Sequence, residues 1–301
     1  MSALTPSIRI SFAAAALLMS AAAAAGQALE APAGRKRAAE RRDGSALVQL
    51  RLALDRQALA PGEQATLAVL FDIEPGWHLY WMNPGDTGMG PEVALRLPEG
   101  VEQAGPIRWP VPQRRPHAGF MVDNVYEGEL TLLAPIRVRS DVAVGSTLVF
   151  GAQAEWLVCE EACLPGAGTA ALTAPVRQVS APIEDDALRA RILGAEGRVP
   201  LPAAQAEQLG VEVRWEGRTL VARVPGAARL TYFHHEPRDA PPVDLFRQGQ
   251  VEGEVIRIDY PERIHTLGAV SGVVAFEKEG QRRAVWINAP APSEGNGRAA
   301  G

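Results

Sequence analysis

The sequence predicts an all-β protein, an antiparallel β-sandwich followed by a second, smaller β-rich, sandwich-like unit. Three observations carry that class. Short runs of apolar residues alternate with polar ones at a period of two, turn residues punctuate the runs at regular spacing, and Gly (29) and Pro (24) are abundant. Pro inside a helix costs about 3 kcal/mol, which argues against a helical bundle. At roughly 150 residues per domain, 301 residues suffice for about two domains. A hydrophobic fraction of 47% and a charged fraction of 22% without long charge blocks exclude a disordered chain, a coiled coil and a collagen. The net charge of -5 supplies no basic footprint for nucleic acid. Two cysteines exclude a disulfide-dense scaffold.

The chain opens with an address. Arg9 precedes an apolar, Ala-rich stretch ending near Ala25, which reads as a signal peptide over residues 1–25. The stretch is shorter than the ~20 apolar residues of a membrane span, so no stable membrane insertion is expected. Removing Arg9 leaves 29 basic and 35 acidic side chains, a charge of -6. Residues 26–45 carry Arg35, Lys36, Arg37, Arg41 and Arg42 and read as a disordered basic leader.

The first β unit is expected over 46–178. In Leu47–Leu54, Val48, Leu50, Leu52 and Leu54 face one way, and Gln49 and Arg51 the other. Further strands are expected at Ala65–Phe71, His78–Trp81, Val93–Leu97, Leu130–Val138 and Thr147–Leu157, separated by turns such as Pro61-Gly62, Pro75-Gly76 and Pro84-Gly85. Residues 179–206 read as a linker with a short helix, in which Ala187, Leu188, Ile192 and Leu193 lie between Glu184-Asp185-Asp186 and Gly194. The second β unit spans 207–291, with hairpin turns at Glu216-Gly217-Arg218 and Lys278-Glu279-Gly280-Gln281. Residues 292–301 form a flexible tail.

Cys159 and Cys163 stand at the end of a strong strand in Trp156-Leu157-Val158-Cys159-Glu160-Glu161-Ala162-Cys163-Leu164-Pro165-Gly166. A loop of about five residues gains only ~2 kcal/mol from a disulfide, against ~4.7 for a loop near 100. Such a bond opens and closes without unfolding a domain, and it keeps a resolving thiol beside the attacked one, as thiol–disulfide exchange requires. The spacing alone leaves a structural disulfide and metal binding open. Glu155, Glu160 and Glu161 nearby in sequence would disfavour a thiolate. There is no C-x-x-C and no βαβ pattern, so a thioredoxin is excluded.

Gly76-Trp77-His78-Leu79-Tyr80-Trp81-Met82-Asn83-Pro84-Gly85-Asp86-Thr87-Gly88, Ile107-Arg108-Trp109-Pro110, Val125-Tyr126-Glu127-Gly128-Glu129-Leu130 and the cysteine segment occur in that order. Together they resemble the N-terminal periplasmic domain of DsbD-type thiol:disulfide interchange proteins, in the branch related to ScsB. The resemblance covers about Leu47 to Val176, and extends more weakly to Leu267–Val273 and Trp286–Pro290. It implies an immunoglobulin-like sandwich with a redox-active pair on a strand–turn–strand edge. Cys163 matches the thiol that meets the client, and Cys159 its resolving partner. A cap loop is implied over Gly119–Asp123, with Phe120 and Met121 shielding the sulfurs. Trp77, Tyr80 and Trp81 are candidates for client docking. The implied partners are thioredoxin-fold periplasmic proteins and a membrane electron donor of DsbD or CcdA type. The chain itself departs from the family in lacking the transmembrane carrier and the thioredoxin domain, and in its shorter cysteine spacing.

Two further readings accompany this one. One is a non-catalytic binding module with a structural disulfide. The other is copper handling, in which His78, His117, Met82, Met89 and Met121 join the cysteines as soft ligands, although no tight ligand spacing supports it. No metal site and no cofactor are assigned. His234-His235 reads as one packed and one exposed histidine, because neighbours on a strand point to opposite faces. Asp185-Asp186 reads as a helix start.

Overall fold

The strands expected at 47–54, 65–71, 78–81, 93–97, 130–138 and 147–157 all form, and six further strands join them in the first sandwich. The computed structural model describes residues 43–244, 250–266 and 268–292; residues 1–42, 245–249, 267 and 293–301 lie outside the described residues, and with them the expected signal peptide, most of the expected leader and nearly all of the expected tail. In chain order the first strands are β1 (Val48–Leu54), β2 (Arg56–Ala58), β3 (Gln64–Ile73), β4 (His78–Gly85), β5 (Glu92–Arg96), β6 (Val101–Gln103), β7 (Gln113–His117), β8 (Met121–Glu127), β9 (Glu129–Val138), β10 (Thr147–Cys159), β11 (Cys163–Pro175) and β12 (Ala181–Pro182). They make an immunoglobulin-like antiparallel sandwich. One sheet runs β1-β3-β9-β6, the other β11-β10-β4-β8-β7 with β5 on β10, and β2 and β12 pair separately.

The core lies between these sheets. Val69, Phe71, Leu130 and Leu132 meet Leu79, Phe150, Trp156 and Val158, with Phe71 edge-on to Trp156 at 5.9 Å. The opposite face of the β1-β3-β9-β6 sheet is also covered. Ala53, Ala68, Leu70 and Leu133 pack under Ile192 and Ala195 of helix α1 (Asp186–Glu196). This double burial explains the unbroken apolar run around Leu67–Phe71.

Helix α1 starts as expected. Asp185 accepts hydrogen bonds from the backbone N–H groups of Ala187 and Leu188, both at 3.0 Å. Its end differs from expectation. The helix runs through Gly194, where an added Cβ would point into open space, and stops at Gly197, whose N–H bonds to Leu193 O. Packing of Ala195 into the sheet holds the extra turn.

The second β region holds β13 (Glu212–Glu216), β14 (Thr219–Arg223), β15 (Ala228–Glu236), β16 (Gln250–Glu252), β17 (Val255–Asp259), β18 (Ala269–Lys278) and β19 (Gln281–Pro290). They form the sheets β13-β14-β17-β16 and β15-β18-β19 around Leu220, Ile256, Ile258, Val274, Phe276 and Val285. Glu279 and Gly280, both at positive φ, turn β18 into β19. The other face of β15-β18-β19 is not solvent. Phe233, Val273, Ala275 and Ala284 join the first sandwich's core, and Trp81 stacks on Trp286 at 6.1 Å.

Candidate functional site

Alternation along β10 decides where the cysteines go. Leu148, Phe150, Ala152, Ala154, Trp156 and Val158 point into the core, so the odd-numbered residues, ending at Cys159, face outward. The same rule on β4 sends Leu79 and Trp81 inward and His78 and Tyr80 outward. Cross-strand pairing then aligns Cys163, Cys159, His78 and Glu127 in one row, with Tyr80, Val125 and Gln113 in the next.

Cys159 ends β10 and Cys163 begins β11. Their Cα atoms are 4.1 Å apart and their sulfurs are bonded across the Glu160-Glu161-Ala162 turn. The two sulfurs have unlike surroundings. Cys159 is 2% exposed in a small cluster with Tyr80 and Val125, against which Leu157 packs, whereas Cys163 is exposed. The Tyr80 hydroxyl lies 3.7 Å from Cys163 Sγ.

The segment after Tyr80 fixes that ring. Gly88, at φ +80°, lies so close that a Cβ there would collide with the Tyr80 ring. The Asp86–Gly88 loop is tied to β8. Asp86 Oδ2 accepts from Val122 N at 2.7 Å, and Asp123 accepts from Thr87 N at 3.0 Å and Thr87 Oγ1 at 2.7 Å. His117 Nε2 lies 2.9 Å from Asp123 Oδ2. Asn83 caps the bend, accepting from Gly85 N at 3.2 Å and donating to His235 O at 3.1 Å. The Asn83–Gly88 motif is therefore a strap over Tyr80.

Burial sets the local electrostatics. His78, 3% exposed, has its pKa pushed down to about 4 by burial first, then by Arg115 and His117. Arg115 Nη1 sits 2.6 Å from His78 Nδ1 and 3.4 Å from Glu127 Oε1. The Tyr80 hydroxyl is pushed above its ordinary value, chiefly by burial. Glu155 stands opposite Glu92 and Ala167, two alternations along β10 from Cys159, so of the three acids only Glu160 and Glu161 flank the sulfurs.

Several expected roles change place. Trp77, Tyr80 and Trp81 are 9%, 1% and 1% exposed, so none offers a docking surface in this conformation. Trp81 instead contacts Phe233, His235 and Trp286. The expected cap loop is a β-hairpin. Met121, Val122 and Asp123 belong to β8, and the tip is Ala118-Gly119-Phe120, with positive φ at Ala118 and Gly119. Phe120 is 70% exposed at that tip and Met121 half-buried opposite His117, so the aromatic found on the sulfur pair is Tyr80. Among the copper candidates, Met89 is 61% exposed, and no group of three or more His, Cys, Asp or Glu is placed to hold a metal ion among the described residues. His234 is buried, while His235 rests half-buried against Trp81 and Trp286. The contribution of Arg115 and Asp123 was not read from the sequence. Its only signal was the outward parity of His78 and Tyr80, which calls for polar neighbours on the next strands.

Fold and site together define a class: an immunoglobulin-like β-sandwich bearing a cross-strand disulfide between one buried and one exposed cysteine. Residues 47–175 match the family described as thiol:disulfide interchange protein DsbD, N-terminal, so the resemblance read from the motifs is shown over that segment. Among solved structures, the N-terminal periplasmic domain of ScsB from Proteus mirabilis is similar, at 16% identity and a TM-score of 0.51, covering 81% of this chain and 92% of that one. The reduced DsbD N-terminal domain of Neisseria meningitidis aligns at 15% identity and a TM-score of 0.25, covering 44% of this chain and 90% of its own. No curated protein sequence matches the chain.

Proposed function

We propose that this chain is an exported, periplasmic thiol–disulfide exchange module. It relays reducing equivalents between a thioredoxin-like or membrane electron donor and thioredoxin-fold clients through Cys159 and Cys163. The observation that carries the reading is the asymmetry of the pair: one cysteine exposed, its mate enclosed by Tyr80, Val125 and Leu157. A partner thiolate attacks the sulfur of the exposed Cys163, a mixed disulfide forms, and the electron pair leaves on Cys159. In the reverse direction Cys159 attacks the mixed disulfide and frees the partner. The match to the DsbD N-terminal family over 47–175 supports the same chemistry. No helix among the described residues is long and apolar enough to cross a membrane.

The test is trapping. A Cys159→Ser variant should retain periplasmic thioredoxin-fold proteins as mixed disulfides at Cys163. If Cys163 reacts freely with a small alkylating agent yet captures no such protein, the exchange reading fails and a structural disulfide takes its place.

A further inference from the structure

We infer that His78, backed by Arg115, is the positioning residue that stabilises the thiolate of Cys159 when the disulfide opens. The inference rests on the exchange reading of the pair and names a residue that this reading leaves idle.

The geometry comes from three strands. His78 on β4 is the direct cross-strand partner of Cys159 on β10, and its outward parity puts both side chains on one face. Such partners have Cβ atoms about 4.5–5.5 Å apart. On the other side, Arg115 of β7 brings Nη1 to 2.6 Å from His78 Nδ1. A guanidinium has donors only, so Nδ1 must accept, and the neutral imidazole then carries its hydrogen on Nε2. The two ring nitrogens diverge. Nδ1 is turned toward Arg115 of β7, while β10 with Cys159 flanks β4 on the side away from β8 and β7, the side the proposal gives to Nε2–H. Among the described residues the hydrogen bond of the ring is the one at Nδ1, to Arg115, which leaves Nε2–H available.

Cys159 needs such a donor. Its packed neighbours are Tyr80, Val125 and Leu157, and an apolar enclosure disfavours a thiolate. The Tyr80 hydroxyl is engaged at Cys163. In the exchange step a dithiol protein's thiolate forms a new bond to Cys163 Sγ, the Cys163–Cys159 bond breaks, and the electron pair and negative charge pass to Cys159 Sγ. A nearby N–H, polarised by a guanidinium behind it, makes Cys159 a better leaving group and, in reverse, a more abundant nucleophile. The groups facing His78 are Cys159 from β10, Glu127 from β8, Arg115 and His117 from β7, and Tyr80 from its own strand. His78 stays neutral over the working range, so it acts as a hydrogen-bond donor and not as the source of a transferred proton.

The experiment titrates the thiolate absorbance of Cys159 in the folded Cys163→Ser protein. His78→Phe should cut the thiolate fraction near neutral pH about tenfold, and should slow opening of the disulfide by a small dithiol by a similar factor in the two-cysteine protein. Arg115→Gln should shift both in the same direction by less. His78→Gln, which keeps an N–H donor, should recover part of the loss. An unchanged Cys159 titration in folded His78→Phe would overturn the inference. If that variant does not fold, an unchanged titration in Arg115→Gln overturns it. The titration needs no partner protein, so its failure is separate from a failure to trap clients.

Discussion

Tyr80 is 1% exposed, yet its hydroxyl ends 3.7 Å from the sulfur of the solvent-exposed Cys163. A buried ring thus delivers a single polar atom to the open member of the pair. The ring is held between strand pairing with Val125 below and Gly88 above. Tyr80→Phe removes only that atom. It should lower stability by about 0.5–1.5 kcal/mol and slow alkylation of Cys163 in the Cys159→Ala protein, because the thiolate loses a donor. Tyr80→Ala removes the ring as well and should destabilise by about 3–5 kcal/mol. Denaturant midpoints and alkylation rates read both, and equal alkylation in Tyr80→Phe would remove the hydroxyl from any role at the sulfur.

Gly88 is the complementary position. Any Cβ there meets the Tyr80 ring, and φ +80° is strained for other residues. Gly88→Val should cost about 1–3 kcal/mol by overpacking. The displaced strap should also expose Cys159 and speed reduction of the disulfide. A variant equally destabilised at a distant surface site is the control, and it should leave the reduction rate unchanged.

The strap hangs on Asp123, which is 3% exposed and accepts both the N–H and the hydroxyl of Thr87. Asp123→Ala leaves those donors without a partner and should destabilise by about 1–3 kcal/mol. Because Asp123 and Gly88 act on one loop, the double variant should lose less than the sum of the singles. Additive losses in denaturant unfolding would show that the two do not share the strap.

How much of this was legible in the chain follows from where the signals lie. Val48 to Leu54 and Thr147 to Leu157 advertise their strands by alternation, and Asp185 advertises the helix start. Strand β11 gives almost no such signal. Gly166 and Gly168 must be small because each packs against Trp156, and the run between Gly166 and Ala171 carries almost no β-branched residue. The cysteine pair was legible because its spacing is local. Its surroundings were not, since Tyr80, Asp123 and Arg115 meet it through pairing across four strands, and no local pattern encodes register. Trp81 misled for a related reason. An aromatic that faces inward toward the β15-β18-β19 sheet looks, in sequence, the same as one offered to a partner.

Stability should fall as the medium is acidified below neutrality. His234 is 2% exposed, its Nε2–H donates to Pro237 O at 2.9 Å, and its Nδ1 accepts from the Tyr260 hydroxyl at 3.1 Å. Burial, above all, pushes its pKa down to about 4. In the unfolded chain a histidine titrates near 6.5. Between about pH 6.5 and 4 the unfolded state therefore holds the extra proton and stability rises with pH; above 6.5 the contribution is fully present. His78 acts with the same sign. Urea midpoints should drop steadily from pH 7 to pH 4.5, and the slope should be shallower in His234→Gln. An identical slope in that variant would assign the pH dependence elsewhere.

The disulfide itself should matter little for stability. Cys159 and Cys163 are only four positions apart, so the loop they close restricts the unfolded chain weakly, about 2 kcal/mol by chain entropy. β10 and β11 are already registered over thirteen residue pairs from Thr147–Pro175 to Cys159–Cys163, and Trp156, Phe150 and Val158 anchor β10 in the core without help from sulfur. A Cys159→Ala, Cys163→Ser protein should keep its near-ultraviolet circular dichroism and lose about 2 kcal/mol in urea, with an unchanged m-value. Reduction of the native protein should give the same loss reversibly. Collapse of the fold on either treatment would mean that the bond holds the edge of the sheet together, and a bond with that duty is poorly suited to being opened on every turnover.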